Sequence, residues 1–277
     1  MPQPLLFTPI KLAGLTARNR IVVSPMCQYS SDEGGPSDWH LVHLGKFALG
    51  GAAVVFCEET AVEMRARKTY GCAGIYSDAH VPMYRRITGF NQFLSPLANQ
   101  RTDAYGGDVS GRMRFALELT EAVRAVWPQD KPLWFRVSAV DGDNGAWAID
   151  DTVALVRELK SRGVNAVSCS SGGINGPLNY AIVPRQPGFQ VPYAERVRRD
   201  TGITTCAVGL ITEPEHAEDI LQRGQADLIA MAREFMYNPN WPVHAARTLG
   251  VSDYLDLLPT EYAWWLKRRE KIREISK

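Results

Sequence analysis

The sequence predicts an α/β fold made of parallel β/α units, of the TIM (β/α)8-barrel type, incomplete, with about six of its eight units present. Three observations carry this: short apolar runs rich in β-branched residues, amphipathic stretches between them, and glycine or polar residues directly after each run. At 277 residues the chain suits one barrel of about 250 residues, so residues 1–277 read as a single domain. A net charge of +1 argues against nucleic acid or an anionic membrane as the main partner. With neither a signal-like start nor a long apolar span, a cytoplasmic location is expected. Cys27, Cys57, Cys72, Cys169 and Cys206 are scattered without C-x-x-C spacing, which predicts reduced thiols and no zinc site.

Taken in order, Leu5 to Leu12 and Gly14-Leu15 are apolar segments split by turn residues, a hairpin suited to closing the barrel floor. Arg20 to Val23 is the first buried strand. It runs into Ser24-Pro25-Met26-Cys27-Gln28-Tyr29, a polar lip at the strand end where such folds place their chemistry. Cys27 and Tyr29 would offer a sulfur and a hydroxyl to one ligand; alternatively Cys27 is a small buried hydrophobe. Asp38 is a cap for a helix with Leu41, Leu44, Ala48 and Leu49 at helical spacing. His40 and His43 share a face of it, and without a third ligand a structural role is expected. Ala52 to Cys57 is the second strand, ending in Glu58-Glu59. A short helix around Tyr84, Arg85 and Ile87, capped by Ser77 or Asp78, follows the 71–80 segment. Further strands are read at 133–138, 166–170, 204–208 and 227–231, and helices at 109–126, 150–162, 191–200 and 213–223. Six strands cannot close an eight-stranded barrel unless shear and tilt change together.

The later strand ends suggest an anion site. Ser170-Ser171-Gly172-Gly173, Gly209-Leu210-Ile211-Thr212 and Ala232-Arg233-Glu234 combine backbone N–H groups that an anion can approach with an arginine able to grip it. Arg136 sits late in its strand and needs an acceptor, either a ligand or an internal carboxylate. The C-terminal stretch Pro259 to Arg269, with Trp264 and Trp265, is a docking segment, onto a neighbouring subunit or onto its own barrel.

Asn19-Arg20-Ile21-Val22 with Pro25-Met26-Cys27-Gln28-Tyr29 resembles the flavin-contacting loop of the Old Yellow Enzyme family, in its thermophilic-like branch. The resemblance implies FMN as cofactor and NADPH or NADH as reductant. It places Pro25, Met26 and Cys27 at the flavin, Tyr29 near the substrate, and Arg136 at the pyrimidine edge. Ser171, Gly172, Gly209, Leu210, Ala232 and Arg233 fall to the phosphate side. Glu59 stands where the family usually carries a small residue whose backbone N–H meets the ring; its carboxylate either raises the energy of reduced flavin or turns into solvent. Trp265 and Arg268 match positions that reach a neighbouring subunit's active site, which implies a homodimer or homotetramer.

The resemblance breaks near Thr88 to Gln92. The preceding block resembles the helix after the second barrel strand, whereas Gln92 to Gly107 resembles the segment after the fourth. About two units, on the order of 90 residues, are missing. In the family those units carry a flavin-contacting glutamine, the His pair that grips the substrate carbonyl, and the proton-donating tyrosine. Two readings follow: an FMN-dependent oxidoreductase that reduces activated alkenes, or a catalytically impaired or non-catalytic remnant of one.

Overall fold

Residues Ile10–Leu12 (β1) and Leu15–Ala17 (β2) pair antiparallel, so the expected floor hairpin is present. Gly14 at its turn lies so close to Asp130 that an added Cβ would meet that carbonyl oxygen at 2.6 Å. Leu12 is buried against Val22, Cys206, Leu228 and Ala230 and plugs the barrel floor. The computed structural model of the chain describes residues 3–61, 63–76, 94–141, 147–172 and 185–275. The junction near 88–92, the helix expected around Tyr84, Arg85 and Ile87 with its caps Ser77 and Asp78, and Gly173 lie outside the described residues.

The strands that follow are Ile21–Val23 (β3), Val54–Val55 (β4), Thr60–Ala61 (β5), Ala73–Gly74 (β6), Trp134–Ser138 (β7), Ala166–Ser170 (β8), Thr204–Ala207 (β9) and Leu228–Met231 (β10). β5 and β6 form a small separate parallel pair. The other six form one all-parallel sheet in the order β4-β3-β10-β9-β8-β7. These are the six strands expected from the sequence. Alternation along them explains their apolar character. Val22, Val54, Trp134, Cys206, Leu228 and Ala230 face the interior, whereas Ile21, Val23, Val55, Phe135, Val137, Val167, Ile229 and Met231 pack under the helices. All five cysteines are free. Burial pushes the Cys169 thiol up to about 12 and raises that of Cys206 as well, so both are inert wall residues.

The helices are Asp38–Leu49 (α1), Val109–Val126 (α2), Ile149–Ser161 (α3), Val191–Thr201 (α4), Pro214–Gln222 (α5), Arg233–Tyr237 (α6), Trp241–Thr248 (α7) and Thr260–Ile275 (α8). α2 has the expected bounds, and its start is fixed by Asp108, whose carboxylate accepts from Gly111 N–H at 2.8 Å. α1 departs from expectation. Ser37, not Asp38, takes the cap position, and the buried face is His40, His43 and Phe47, while Leu41 is 75% exposed. Aromatic contacts set that face: the His43 ring meets Phe47 at 4.9 Å and Phe47 meets Phe235 at 5.8 Å. Among the described residues no helix is long and apolar enough to cross a membrane.

Among the described residues, β4 and β7 are the two edges of the sheet. They are also the sheet strands on either side of the 88–92 junction in the chain. The gap in sequence and the opening in the sheet therefore coincide. The two edges still approach one another, because Phe56 just after β4 and Trp134 at the start of β7 meet edge to face with ring centroids 5.1 Å apart. The sheet is a curled partial barrel whose edges are linked by an aromatic contact without a paired backbone.

Candidate active site

β3 carries the chain from the barrel floor to Ser24, whose N–H donates to Met231 O at 2.8 Å and ties the lip to the neighbouring strand end. Beyond Pro25 and Met26 the lip is held by Glu58, which follows β4 and is buried. Glu58 Oε2 accepts from Gln28 N–H at 3.0 Å, and Oε1 lies 2.7 Å from His40 Nε2. His40 Nδ1 accepts from Ser37 N–H at 2.9 Å, so the ring proton sits on Nε2 and is donated to Glu58. The structural role expected of His40 is thus specific: it pins the carboxylate that pins the lip.

Cys27 and Tyr29 emerge from this frame, Tyr29 with a left-handed backbone (φ 54°) and a half-exposed ring. Cys27 Sγ lies 3.8 Å from Glu59 Oε2, and the same carboxylate oxygen is ion-paired with Lys68 Nζ. Glu59 therefore turns towards solvent, with a cation to balance it. Burial first, and then Glu59, raise the Cys27 thiol pKa; Lys68 acts against both. That environment favours the neutral thiol and gives Cys27 no activated-nucleophile character. The neighbouring Cys27 raises the Tyr29 hydroxyl as well.

Across the rim, Arg136 shares the interior parity of Trp134 on β7, and its Nη1 donates to Ser168 Oγ at 3.0 Å. It has no carboxylate partner among the described residues, so the internal ion pair considered above is not formed. Crowding by barrel atoms lowers its pKa, yet its place on an edge strand leaves it open to water, and it stays a cation. The loops after β8 and β9 are laced together: Gln190 Nε2 donates to Ser171 Oγ at 2.9 Å, and Gly188 N–H donates to Gly209 O at 2.7 Å. Gly172 (φ 74°), Gly209 (φ 114°) and Leu210 (φ 54°) all have left-handed backbones, and for Leu210 this is a strained conformation. Arg233 opens α6 after Ala232, exposed and without a hydrogen bond or ion pair among the described residues.

The family model described as NADH:flavin oxidoreductase / NADH oxidase matches residues 5–90 and 89–251, two segments that meet at 89–90. The chain belongs to this family. An NADPH dehydrogenase of Geobacillus sp. (strain WCH70) is 33% identical, and the match covers 90% of this chain and 96% of the relative. One from Bacillus subtilis (strain 168) is 32% identical, covering 88% of this chain and 95% of that one. The Geobacillus alignment spans 336 positions, but 90% of 277 residues is about 249, so about 87 positions of the alignment have no counterpart here. Among solved structures, morphinone reductase superposes with a TM-score of 0.69 at 18% identity, covering 89% of this chain and 90% of that chain. The Old Yellow Enzyme homologue from Zymomonas mobilis gives 0.69 at 16% identity, covering 94% and 99%. Both share the barrel fold.

The family works with FMN and a nicotinamide reductant. The residues present fit such a cofactor: Arg136 is a cation in the middle of β7, not at its end, and Arg233 is one just beyond β10, neither has a carboxylate partner among the described residues, and two glycines open the loops after β8 and β9. The lip side fits as well, since Lys68 balances the charge that Glu59 introduces. Trp265 and Arg268 are carried by α8. That helix docks through Leu266 onto the Val243, Leu255 and Leu258 cluster and buries Ala263, while Trp264 and Trp265 stay exposed with Arg268 over both rings. Sequence reading missed Glu58, Lys68 and Gln190. Each owes its role to a partner on another element, which periodicity does not report.

Proposed function

We propose that this chain is an FMN-dependent NADPH oxidoreductase of the ene-reductase type whose reduction of activated alkenes is severely impaired. The observation that carries the reading is the contrast between two parts of one rim. From β7 round to β3 the chain carries cations and glycine loops suited to an anionic cofactor, whereas β4 and β7 are unpaired sheet edges among the described residues. When bound, FMN supplies hydride transfer from the nicotinamide to the β-carbon of an enone. In this reading Arg233, with the loops at Ser171-Gly172 and Gly209-Leu210, holds the phosphate, and Arg136 orients the pyrimidine edge. Pro25 and Met26 shape the lip, Cys27 tunes the cofactor as a neutral thiol, and Tyr29 stands where the substrate enters. Without the His pair nothing polarises the enone carbonyl, and without the tyrosine nothing protonates the α-carbon.

Arg233→Ala removes one charge-assisted contact and is expected to weaken FMN binding about tenfold. Fluorescence titration of FMN checks this, and an unchanged affinity would remove Arg233 from the phosphate site.

The assembly is read as a homodimer or homotetramer. α1 exposes Trp39, Leu41, Val42 and Leu49, and α8 exposes Trp264, Trp265, Ile272 and Ile275, apolar side chains suited to contacts between subunits. Light scattering is expected to give at least twice the 30.8 kDa chain mass. A purely monomeric species at micromolar concentration would contradict this reading.

A further inference from the structure

Glu59 lies in the segment between β4 and β5, beside the Cys27 lip, and an isolated carboxylate there would oppose an anionic group held at that lip. It is not isolated. Lys68 lies in the strap that follows β5, nine residues beyond Glu59, and its ammonium is ion-paired with Glu59 Oε2, the oxygen that also lies 3.8 Å from Cys27 Sγ. One carboxylate oxygen thus joins a thiol from the β3 lip to an ammonium from the β5 strap. We propose that Glu59 and Lys68 act as a single charge pair that holds Cys27 as a neutral, oriented thiol, with Lys68 as the positioning residue that makes a carboxylate tolerable at this place.

The ionisable groups around Cys27 come from three segments. Tyr29 belongs to its own lip, Glu58 and Glu59 follow β4, and Lys68 comes from the strap, with Cys72 beyond Tyr29. Burial acts most strongly on the thiol, Glu59 and Lys68 are the next two influences, and Glu58, held by His40 and Gln28, adds a smaller push in the same direction as Glu59. Glu59 and Lys68 act on the thiol in opposite directions: the carboxylate disfavours the thiolate and the ammonium favours it. Removing one partner should therefore move the thiol one way, removing the other should move it the opposite way, and removing both should nearly restore it. Damage to the lip alone would speed alkylation in both single variants.

The test is the rate of iodoacetamide alkylation at Cys27, followed on its peptide by mass spectrometry across pH 7 to 10, in the full-length chain with and without added FMN. Glu59→Gln is expected to speed alkylation about threefold to tenfold at pH 8, and Lys68→Met to slow it about threefold. The double variant should return to within about twofold of the parent, and Lys68→Arg should retain the parent rate. Equal rates in all variants, or acceleration in both single variants, overturns the pair. The consequence for flavin rests on the cofactor reading above, and with FMN bound Lys68→Met should lower the flavin midpoint potential while Glu59→Gln raises it. The two ideas fail separately: opposite rate changes in a chain that does not bind FMN keep the pair and remove the cofactor reading, whereas intact FMN binding with unchanged rates does the reverse.

Discussion

Insertion of the Geobacillus relative's extra positions at residues 88–92 is expected to raise the rate of 2-cyclohexenone reduction by NADPH, under anaerobic conditions, at least about 10³-fold over this chain. The magnitude follows from the His pair and tyrosine that the family resemblance implies for the missing units. A donor pair on a developing oxyanion contributes about 10²–10³, and a positioned general acid about 10²–10⁴, with the two effects overlapping. The family match breaks at 89–90, about 87 aligned positions lack a counterpart, and the sheet opens between β4 and β7, so one site in the chain accounts for all three. Restored units would also pair the free edges of β4 and β7, which are otherwise a site for edge-to-edge aggregation. Equal rates in the two proteins would show that the gap is harmless and that other residues have taken over both roles.

The second large effect is expected at His40. His40→Ala takes away the donor 2.7 Å from Glu58 Oε1 and leaves a buried carboxylate with Gln28 N–H alone. Hydrogen bonds to charged groups and the cost of stranding a buried one put the loss at about 2–3 kcal/mol. The urea midpoint should fall with little change in slope, because the buried surface is nearly unchanged. His40→Gln keeps a donor and should recover part of the loss. FMN affinity should fall together with stability in His40→Ala, since Glu58 also fixes the lip that carries Cys27. A loss below about 0.5 kcal/mol would mean that solvent already reaches Glu58.

Much of this fold was legible in the chain, and where it was not the reason is physical. The six sheet strands and α2 were visible because burial on both faces leaves short apolar runs and because α2 is an amphipathic stretch between two of them, whereas its Asp108 cap emerged only in the structure. The buried face of α1 was misread because Leu41, Val42 and Leu49 lie on one side and Phe47 with two histidines on the other, so hydrophobicity alone chooses the wrong side. The pairing of Glu59 with Lys68 was invisible because it joins a strand end to a strap through a loop without periodicity. The glycine turns after β8 and β9 were legible because glycine there serves a backbone need, seen at Gly172 and Gly209 as positive φ. The absence of a carboxylate beside Arg136 among the described residues could come only from the structure, since sequence shows a charge but not its neighbours.

The central claim is that the six strands present keep a flavin site while the missing wall removes the substrate grip. Titration of the purified 277-residue chain with FMN, followed by quenching of flavin fluorescence alongside far-ultraviolet circular dichroism, tests it most directly. Saturable binding approaching one FMN per chain is predicted. A chain that is folded by circular dichroism and leaves flavin fluorescence unquenched at every concentration would contradict the account.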